Sequence, residues 1–192
     1  MKISSPLAAA LMLASLVGFQ AQAGTRQVLD ANGQTHTVPD APQRVVVLSE
    51  LDLDSALTLG VQPVGTVNGR GQSTLPRYLL DKAGKEIAVV GDLDNPNLEK
   101  LIDLEPDLIL TGQTKPDLLA LLKEIAPTVV TGNWGEPWKT VFNRSANVMN
   151  KEAEAKAFLA RYDARLAEAR SKPAQHPGEQ ARIVRWNPTG PS

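Results

Sequence analysis

One uninterrupted segment, residues 87–110, predicts a strand, a turn, a short helix and a second strand, and it constrains the fold more than any other part of the chain. The apolar run 87–90 is typical of a buried strand, and Asn95 followed by Pro96 predicts the N-cap and first position of a helix. Pro106 ends that helix just before an apolar run at 108–110. Because open α/β sheets bind ligands at the carboxyl ends of their strands, the unit indicates a ligand-binding lobe.

The same alternation of strand and helix repeats between residues 44 and 130. Short apolar runs predict strands at 45–48, 63–65, 87–90, 108–110 and 128–130. Helical patterns between them run from Asp52 to a stop at Gly60 and from Pro116 to Ile125. The acidic stretches 50–54 and 92–94 lack the Gly and Glu spacing of a calcium loop, so we interpret them as helix caps. The pattern predicts an α/β lobe, a parallel sheet with helices on both faces.

The last third of the chain departs from this alternation. Residues 138–170 contain neither Gly nor Pro and predict one long helix, kinked near Asn150. A loop follows, and 181–186 predicts a new strand, which we interpret as the first strand of an incomplete second lobe. The predicted organisation is listed in chain order: a signal peptide at 1–23, an N-terminal hairpin segment at 24–43, the α/β lobe at 44–135, an inter-lobe helix at 136–172 and the start of a truncated C-terminal lobe at 181–192.

The N-terminus predicts export. Lys2, an apolar stretch over 7–19 and an A-x-A pattern at 21–23 match a secretory signal peptide that is cleaved near Ala23, so we expect a periplasmic protein. A formal net charge of -1 and 4% aromatic residues argue against nucleic acid as a partner. The chain contains no cysteine, so we expect neither a disulfide nor a lipid-modified Cys.

Chemistry-bearing residues are few. Asn32 and Gly33 lie between alternating runs and predict a hairpin, with His36 a solvated side chain on it. The chain has only two His residues, which argues against a His-based metal site. The patterns G-x-S-x-G, H-E-x-x-H, Walker A and G-x-G-x-x-G are missing, so we do not expect an enzyme.

Binding residues are suggested by the loops. Arg70 lies between Gly69 and Gly71, where its side chain is free to read an anion, although a flexible turn with a solvated Arg explains the same spacing. Trp134 precedes the long helical pattern, and Trp186 ends the last predicted strand. A tryptophan at the carboxyl end of a strand lies on the binding edge of a sheet.

The order and spacing of several motifs resemble a known family. They are the signal peptide, the hairpin, PQRVVVLS at 42–49, LTLGVQPVG at 57–65, the segment 91–110, IAPTVV at 125–130 and the long helix. Together they resemble the iron-siderophore substrate-binding proteins of ABC importers. NGRGQ at 68–72 and VRW at 184–186 resemble the branch that includes catecholate siderophore binders. The resemblance implies two α/β lobes joined by a single rigid helix, with the ligand held between them.

The resemblance also implies roles for particular residues. Ligand contacts are expected from the side chains of Arg70, Trp186, Glu50, Gln72, Trp134 and Arg185. Glu99 takes the place of the carboxylate that docks on the permease. Some hydroxamate and citrate binders have an Arg where this chain has Leu93, which argues against those ligands here. The siderophore holds the iron, so we expect no metal ligand and no cofactor from the protein. The expected partners of this expected monomer are a ferric siderophore and the permease of an ABC importer.

Three other interpretations stay open on the sequence. One is a binding protein for haem or cobalamin in the same importer class, although Arg70 favours an anionic siderophore over cobalamin. A truncated product would have no function of its own. A cytoplasmic chelatase-like enzyme scaffold shares the two-lobe architecture, but it would lack the export signal at residues 7–23.

Overall fold

A computed structural model describes residues 24–69, 71–84, 86–171, 186–187 and 190–191. The strands are β1 (Thr25–Leu29), β2 (Thr35–Pro39), β3 (Val45–Val47), β4 (Gly65–Thr66), β5 (Ala88–Val89), β6 (Gly91–Asp92), β7 (Asn95–Pro96), β8 (Leu108–Gly112), β9 (Thr128–Gly132), β10 (Trp186–Asn187) and β11 (Gly190–Pro191). The helices are α1 (Glu50–Thr58), α2 (Leu80–Ala83), α3 (Leu98–Asp103), α4 (Pro116–Ile125), α5 (Trp138–Val148) and α6 (Glu152–Ser171), with a 3-10 turn at Arg77–Leu79.

A five-stranded parallel sheet in the order β5-β4-β3-β8-β9 forms the centre of the fold. Alternate residues of β3 face opposite sides, so Val45 and Val47 pack with α1 and α5 while Val46 packs with α3 and α4. This confirms the predicted α/β fold class, with a buried parallel sheet that has helices on both faces. The predicted bounds of α4, which begins at Pro116 and ends at Ile125, are also confirmed.

The N-terminal hairpin of β1 and β2 is present, but its turn has a different construction from a simple Asn-Gly turn. Asp30 Oδ1 accepts the backbone N–H groups of Asn32 and Gln34 at 2.7 and 2.8 Å. His36 Nε2 lies 3.0 Å from Asp30 Oδ2, and the His36 side chain is only 16% exposed. The expectation of a solvated His36 was therefore wrong, because the buried Asp30 carboxylate holds its ring.

Two helices begin at other residues than predicted, because a competing cap lies close by. Helix α1 begins at Glu50 rather than Asp52, since the Ser49 hydroxyl accepts the Asp52 N–H at 3.0 Å. Helix α3 begins at Leu98 with Asn97 as its N-cap, and Asn97 Oδ1 accepts the Lys100 N–H at 3.0 Å. Asn95 and Pro96, the predicted start, pair instead with Gly91 and Asp92 in the β6-β7 ribbon.

The predicted long helix is two helices, α5 and α6, with a break at Asn150. Asn150 has a φ of 58°, a left-handed conformation that Asn tolerates better than most residues. The N–H groups of Asn150 and Lys151 donate to the carbonyls of Asn147 and Ala146 at 3.2 and 2.8 Å, which is the pattern of a Schellman C-cap. A helix ended in this way does not continue, so the kink expected near Asn150 is a complete break.

Several predicted segments lie outside the described residues. The signal peptide at 1–23, Arg70 and most of the predicted strand at 181–186 belong to this group, so these stay predictions. Where the C-terminal segment is described, Trp186–Asn187 pairs antiparallel with Gly190–Pro191. None of the described helices combines the length and apolarity that a bilayer crossing requires.

Candidate functional site

A cleft of about 830 Å³ opens at the carboxyl end of the parallel sheet. The segments that line it lie at the carboxyl ends of β3, β4, β5, β8 and β9 or shortly after them, and Gly71 and Tyr78 lie beside these segments. The segments are 49–51, 67–68, 92–95, 112–113 and 132–135. Its volume falls within the roughly 300–1,000 Å³ of small-molecule sites in proteins. The cleft therefore lies where ligands bind in open α/β sheets.

Two of the expected ligand contacts line this cleft. Glu50 is the first residue of α1, and Trp134 lies in the loop after β9 with 73% of its surface exposed. Leu93, where the resemblance finds Arg in some relatives, also lines the cleft. The structure thus brings together side chains from segments that are more than 80 positions apart in the chain, 50 and 134.

Of the other expected contacts, only Gln72 has a described side chain. Gln72 is half-buried in the turn beside the cleft, where its backbone N–H donates to Gly69 O at 2.9 Å, and it is not among the residues that line the cleft. Arg70 and Arg185 lie outside the described residues, and Trp186 is described only as part of β10. Gly71, which follows Arg70 in the chain, does line the cleft and has a φ of +65°.

A network of polar groups holds the loop that carries Trp134. Glu136 Oε2 accepts the Asn133 N–H at 2.7 Å, and the guanidinium of Arg144 donates to both Glu136 oxygens at 3.0 and 3.1 Å. These hydrogen bonds, first those from Arg144, hold the pKa of Glu136 below its usual value. Arg144 also donates to Thr131 O at 2.6 Å, so one side chain joins the end of β9 to α5. The loop is fixed while the indole of Trp134 stays exposed.

Several residues of the cleft were not predicted from the sequence, and Tyr78 is the largest of them. Tyr78 lies in the 3-10 turn and is 63% exposed. Desolvation, and after it the negative charges of Glu50 and Asp54, raises the pKa of its hydroxyl. The amide side chains of Asn68, Asn95 and Gln113 also line the cleft. Asn68 and Gln113 could have been predicted for the cleft, because each comes shortly after a predicted strand. Tyr78 follows no strand, so this signal was not available for it.

The described lining of the cleft is acidic. It contains the carboxylates of Glu50, Asp92 and Asp94, and within the described part of the lining there is no Lys or Arg. No group of three His, Cys, Asp or Glu residues in the described ranges is arranged to hold a metal ion. The aromatic faces and amide groups present here are suited to holding a bulky ligand rather than to breaking a bond in it.

Glu99, the expected docking residue, lies outside the cleft. It is exposed in the first turn of α3, two residues after the Asn97 cap and four after Asn95, which lines the cleft. The partial positive charge at the start of a helix stabilises a carboxylate at this place. The structure therefore presents a solvent-facing acid at the start of α3, four residues along the chain from the lining residue Asn95.

Comparison with known proteins agrees with this geometry. The chain is 31% identical over 163 residues to a probable siderophore-binding lipoprotein, YfiY, of Bacillus subtilis, covering 84% of this chain and 50% of that protein. It is 30% identical over 153 residues to the petrobactin-binding protein YclQ of the same organism, covering 78% and 47%. The chain thus spans about half the length of these curated relatives.

Solved structures show the same relationship. The crystal structure of Staphylococcus aureus SirA complexed with staphyloferrin B superimposes with a TM-score of 0.66 at 31% identity, covering 79% of this chain and 53% of SirA. The two curated relatives are named as binding proteins, which supports the expectation that the chain is not an enzyme and argues against the chelatase-like alternative. The family model described as periplasmic binding protein matches residues 45–190, and the chain belongs to that family.

Proposed function

We propose that this protein captures a ferric siderophore in the periplasm and delivers it to the permease of an ABC importer. The observation that carries the proposal is the cleft at the carboxyl end of the sheet, with Trp134 and Tyr78 exposed beside it. A ferric siderophore is a bulky complex whose iron is already coordinated, so its binding protein needs aromatic faces and charges rather than metal ligands. Binding proteins with siderophore ligands among the relatives support the same conclusion.

Charge decides which siderophores fit. The described lining supplies Glu50, Asp92 and Asp94, which repel an anionic complex. We propose that Arg70, the residue before Gly71 of the cleft lining, supplies the cation that such a complex requires, with Arg185 and Trp186 as further ligand contacts. The chain spans about half the length of these relatives, and the resemblance implies a second lobe that would form the other wall of the cleft.

The acidic lining favours a second ligand class within the same function. A ferric complex that carries protonated amines would be attracted to Asp92 and Asp94 without any contribution from Arg70. The two classes differ in how they respond to charge substitutions in the cleft. Asp92→Asn should strengthen the binding of an anionic complex and weaken the binding of a cationic one.

Fluorescence titration tests the proposal. The chain is titrated with ferric petrobactin and with ferric staphyloferrin B while tryptophan emission is followed, and the iron-free siderophores are the controls. We expect quenching that is reduced in Trp134→Phe and retained in Trp138→Phe, because Trp138 does not line the cleft. We expect Arg70→Ala to weaken binding about tenfold and Arg70→Lys less, since one charge-assisted contact is worth about 1.4 kcal/mol or more.

Two results would contradict the proposal. Equal affinity of the unsubstituted chain and of Arg70→Ala would show that Arg70 does not contact the ligand. No quenching by any ferric complex would show that the chain does not bind this class of ligand.

We expect the chain to bind more weakly than SirA binds staphyloferrin B, because a ligand held by one wall of a cleft keeps more of its surface in water. Binding as tight as that of SirA would show that one wall is sufficient.

A substitution at Glu99 tests delivery to the permease separately from ligand binding. Its carboxylate is exposed outside the cleft, so Glu99→Gln should leave the fluorescence titration unchanged. If Glu99 docks on the permease, the same variant should lower siderophore-dependent iron uptake in cells that contain the importer. Unchanged uptake with unchanged protein levels would argue against a docking role.

A further inference from the structure

A buried carboxyl group lies directly beneath the cleft, and the ligand site described above makes no use of it. Asp52 is fully buried, as are the two hydroxyl residues Thr131 and Ser145 around it. The Thr131 hydroxyl donates to both Asp52 oxygens at 2.7 and 2.8 Å, and the Ser145 hydroxyl donates to Oδ1 at 2.7 Å. The Ser49 hydroxyl donates to Oδ2 at 2.6 Å. The cluster joins α1, β9 and α5 at one carboxyl group.

Two of these hydroxyls have a second acceptor within reach. Thr131 Oγ1 lies 3.1 Å from the carbonyl oxygen of Thr111, and Ser145 Oγ lies 2.9 Å from that of Val141. A hydroxyl has one hydrogen, so it donates either to Asp52 or to the carbonyl. When Asp52 is ionised, its oxygens accept from the hydroxyls. When Asp52 is protonated, its own O–H donates to a hydroxyl oxygen, and that hydroxyl turns its hydrogen to the carbonyl.

The cluster also includes the floor of the cleft. Ser49 lines the cleft and caps α1, while Gly132, directly after Thr131, ends β9 and precedes the loop that carries Trp134. The register of β8 and β9 shifts at this point, because Thr111 pairs with Val130 and Gly112 pairs with Gly132. Thr131 is thus the extra residue of a bulge, and bulges commonly redirect a side chain near a functional site. Here the redirected hydroxyl is hydrogen-bonded to Asp52.

We propose that Asp52 is a positioning residue whose proton decides where the hydroxyls of Thr131 and Ser145 donate, and that it thereby couples the floor of the cleft to helix α5. The coupling rests on the proposed function only in that the cleft is taken as the ligand site. Donation from Thr131 to the Thr111 carbonyl tightens the bulge next to Gly112 and Gln113, which line the cleft. Donation to Asp52 ties the same strand end to α1 instead.

The electrostatic surroundings allow both states. Burial raises the pKa of Asp52, and the hydrogen bonds from the three hydroxyls act in the opposite direction. The strands packed here, β3, β8 and β9, contain no titratable residue. The charged residues of the neighbouring segments are listed together: Glu50 and Asp54 on α1, Glu136 in the loop after β9, Lys139 and Arg144 on α5. Arg144 is paired with Glu136, Lys139 with Asp163 and Asp54 with Lys82.

A pH titration of Trp134 fluorescence tests the coupling without any siderophore. The protein is the full chain with Trp138→Phe and Trp186→Phe, so that Trp134 is the only tryptophan. We expect an emission change with a midpoint above the ordinary Asp value of 3.8. The change should be lost in Asp52→Asn. In Ser145→Ala the midpoint should move upward, because a donor to the ionised form has been removed.

Controls separate Asp52 from other ionisable side chains near Trp134. His36 is one, since Asn133 Nδ2 donates to Ala31 O at 3.1 Å and so links the hairpin turn to the Trp134 loop. Asp94 is another, because it lines the cleft. The transition should keep its midpoint in His36→Gln and in Asp94→Asn. A transition that persists in Asp52→Asn, or that disappears in either control, would overturn the proposal.

A second measurement keeps the test decisive if Asp52→Asn does not fold. The side-chain carboxyl carbon of Asp52 is followed by ¹³C NMR across the same pH range in the otherwise unchanged chain. We expect its midpoint to coincide with that of Trp134, and Thr131→Val to move both together. An Asp52 carbon that titrates apart from Trp134, or at or below the ordinary value, would overturn the coupling. Siderophore affinity enters neither measurement, so failure here is distinct from failure of the proposed ligand.

Discussion

The hairpin turn and the floor of the cleft each contain a buried aspartate, and their pKa values shift in opposite directions. Asp30 is 5% exposed and Asp52 is fully buried. Burial acts to raise the pKa of Asp30, but hydrogen bonds from Gln34, His36 and Asn32 outweigh it and the pKa is lowered. At Asp52 burial outweighs the hydrogen bonds from hydroxyls, and the pKa is raised.

The donors explain the difference. Asp30 accepts backbone N–H groups, which cannot turn away, and lies against an imidazole that becomes positive when it binds a proton. Such partners favour the charged carboxylate alone. Asp52 accepts from hydroxyls on side chains, which can rotate and accept from a protonated carboxyl as readily as they donate to an ionised one. The turn is thus built around a fixed anion, whereas the cleft floor accommodates both forms.

The largest expected effect comes from removing the fixed anion. Asp30→Ala leaves the N–H groups of Asn32 and Gln34 and the ring of His36 without their acceptor, and we expect a loss of about 2–3 kcal/mol in the free energy of unfolding. Urea denaturation followed by circular dichroism measures it. The control is Asp94→Ala, at an exposed position, which should change stability by less than about 0.5 kcal/mol. Equal losses in the two variants would show that the turn does not depend on its anion.

An intermediate effect comes from making the same substitution at both sites. At position 30 the side-chain oxygen of Asn can still accept the two backbone N–H groups. It lacks the negative charge that these donors and His36 favour. At position 52 the side-chain NH₂ of Asn can donate to a hydroxyl oxygen, and that hydroxyl can donate its own hydrogen to the nearby backbone carbonyl. We expect Asp30→Asn to cost about 1–2 kcal/mol near pH 7 and Asp52→Asn less than half of that.

The pH dependence of the two Asn variants should have opposite signs. The lowered pKa of Asp30 gives stability that is present above the ordinary value of 3.8 and is lost as the pH falls through the folded-state value, so the deficit of Asp30→Asn should shrink in acid. The raised pKa of Asp52 gives stability that is present in acid and is lost as the pH rises from 3.8 through the folded-state value. The deficit of Asp52→Asn should therefore shrink toward neutral pH.

Urea midpoints at a series of pH values, from about pH 3 to about pH 7, measure both slopes. The unsubstituted chain is the common reference, so changes in the denatured state that affect all three proteins cancel. Two slopes of the same sign would contradict the distinction between fixed and rotatable donors.

How far the sequence predicted these regions depends on the range of the interactions. The strands of the sheet and the whole of α4 follow from short apolar runs and from prolines at their ends, which are local signals. The starts of α1 and α3 were misplaced because two possible caps lie within three residues of each other, and only tertiary packing selects one. Arg70 stays a prediction, because it lies outside the described residues.

The buried role of Asp52 had no local signal. An acid near the start of a helix is ordinarily a surface cap, and the sequence analysis interpreted it as one. Its partners Thr131 and Ser145 are 79 and 93 positions away. The same holds for Tyr78, which reaches the cleft from a 3-10 turn that no periodicity marks. Residues that depend on distant partners are the part of a site that one sequence does not reveal.

The smallest expected effect isolates the titratable partner of Asp30 from its fixed ones. His36→Gln keeps both backbone N–H donors to Asp30 and a side chain that can hydrogen-bond, but it removes the group that becomes positive in acid. We expect a loss of about 0.5–1 kcal/mol in the free energy of unfolding, measured by urea denaturation. The loss should be absent in an Asp30→Asn background, because an amide gains little from a positive neighbour. An equal loss with and without the Asp30 carboxylate would mean that His36 stabilises the hairpin by packing alone. The two backbone N–H donors would then account for the whole lowering of the Asp30 pKa.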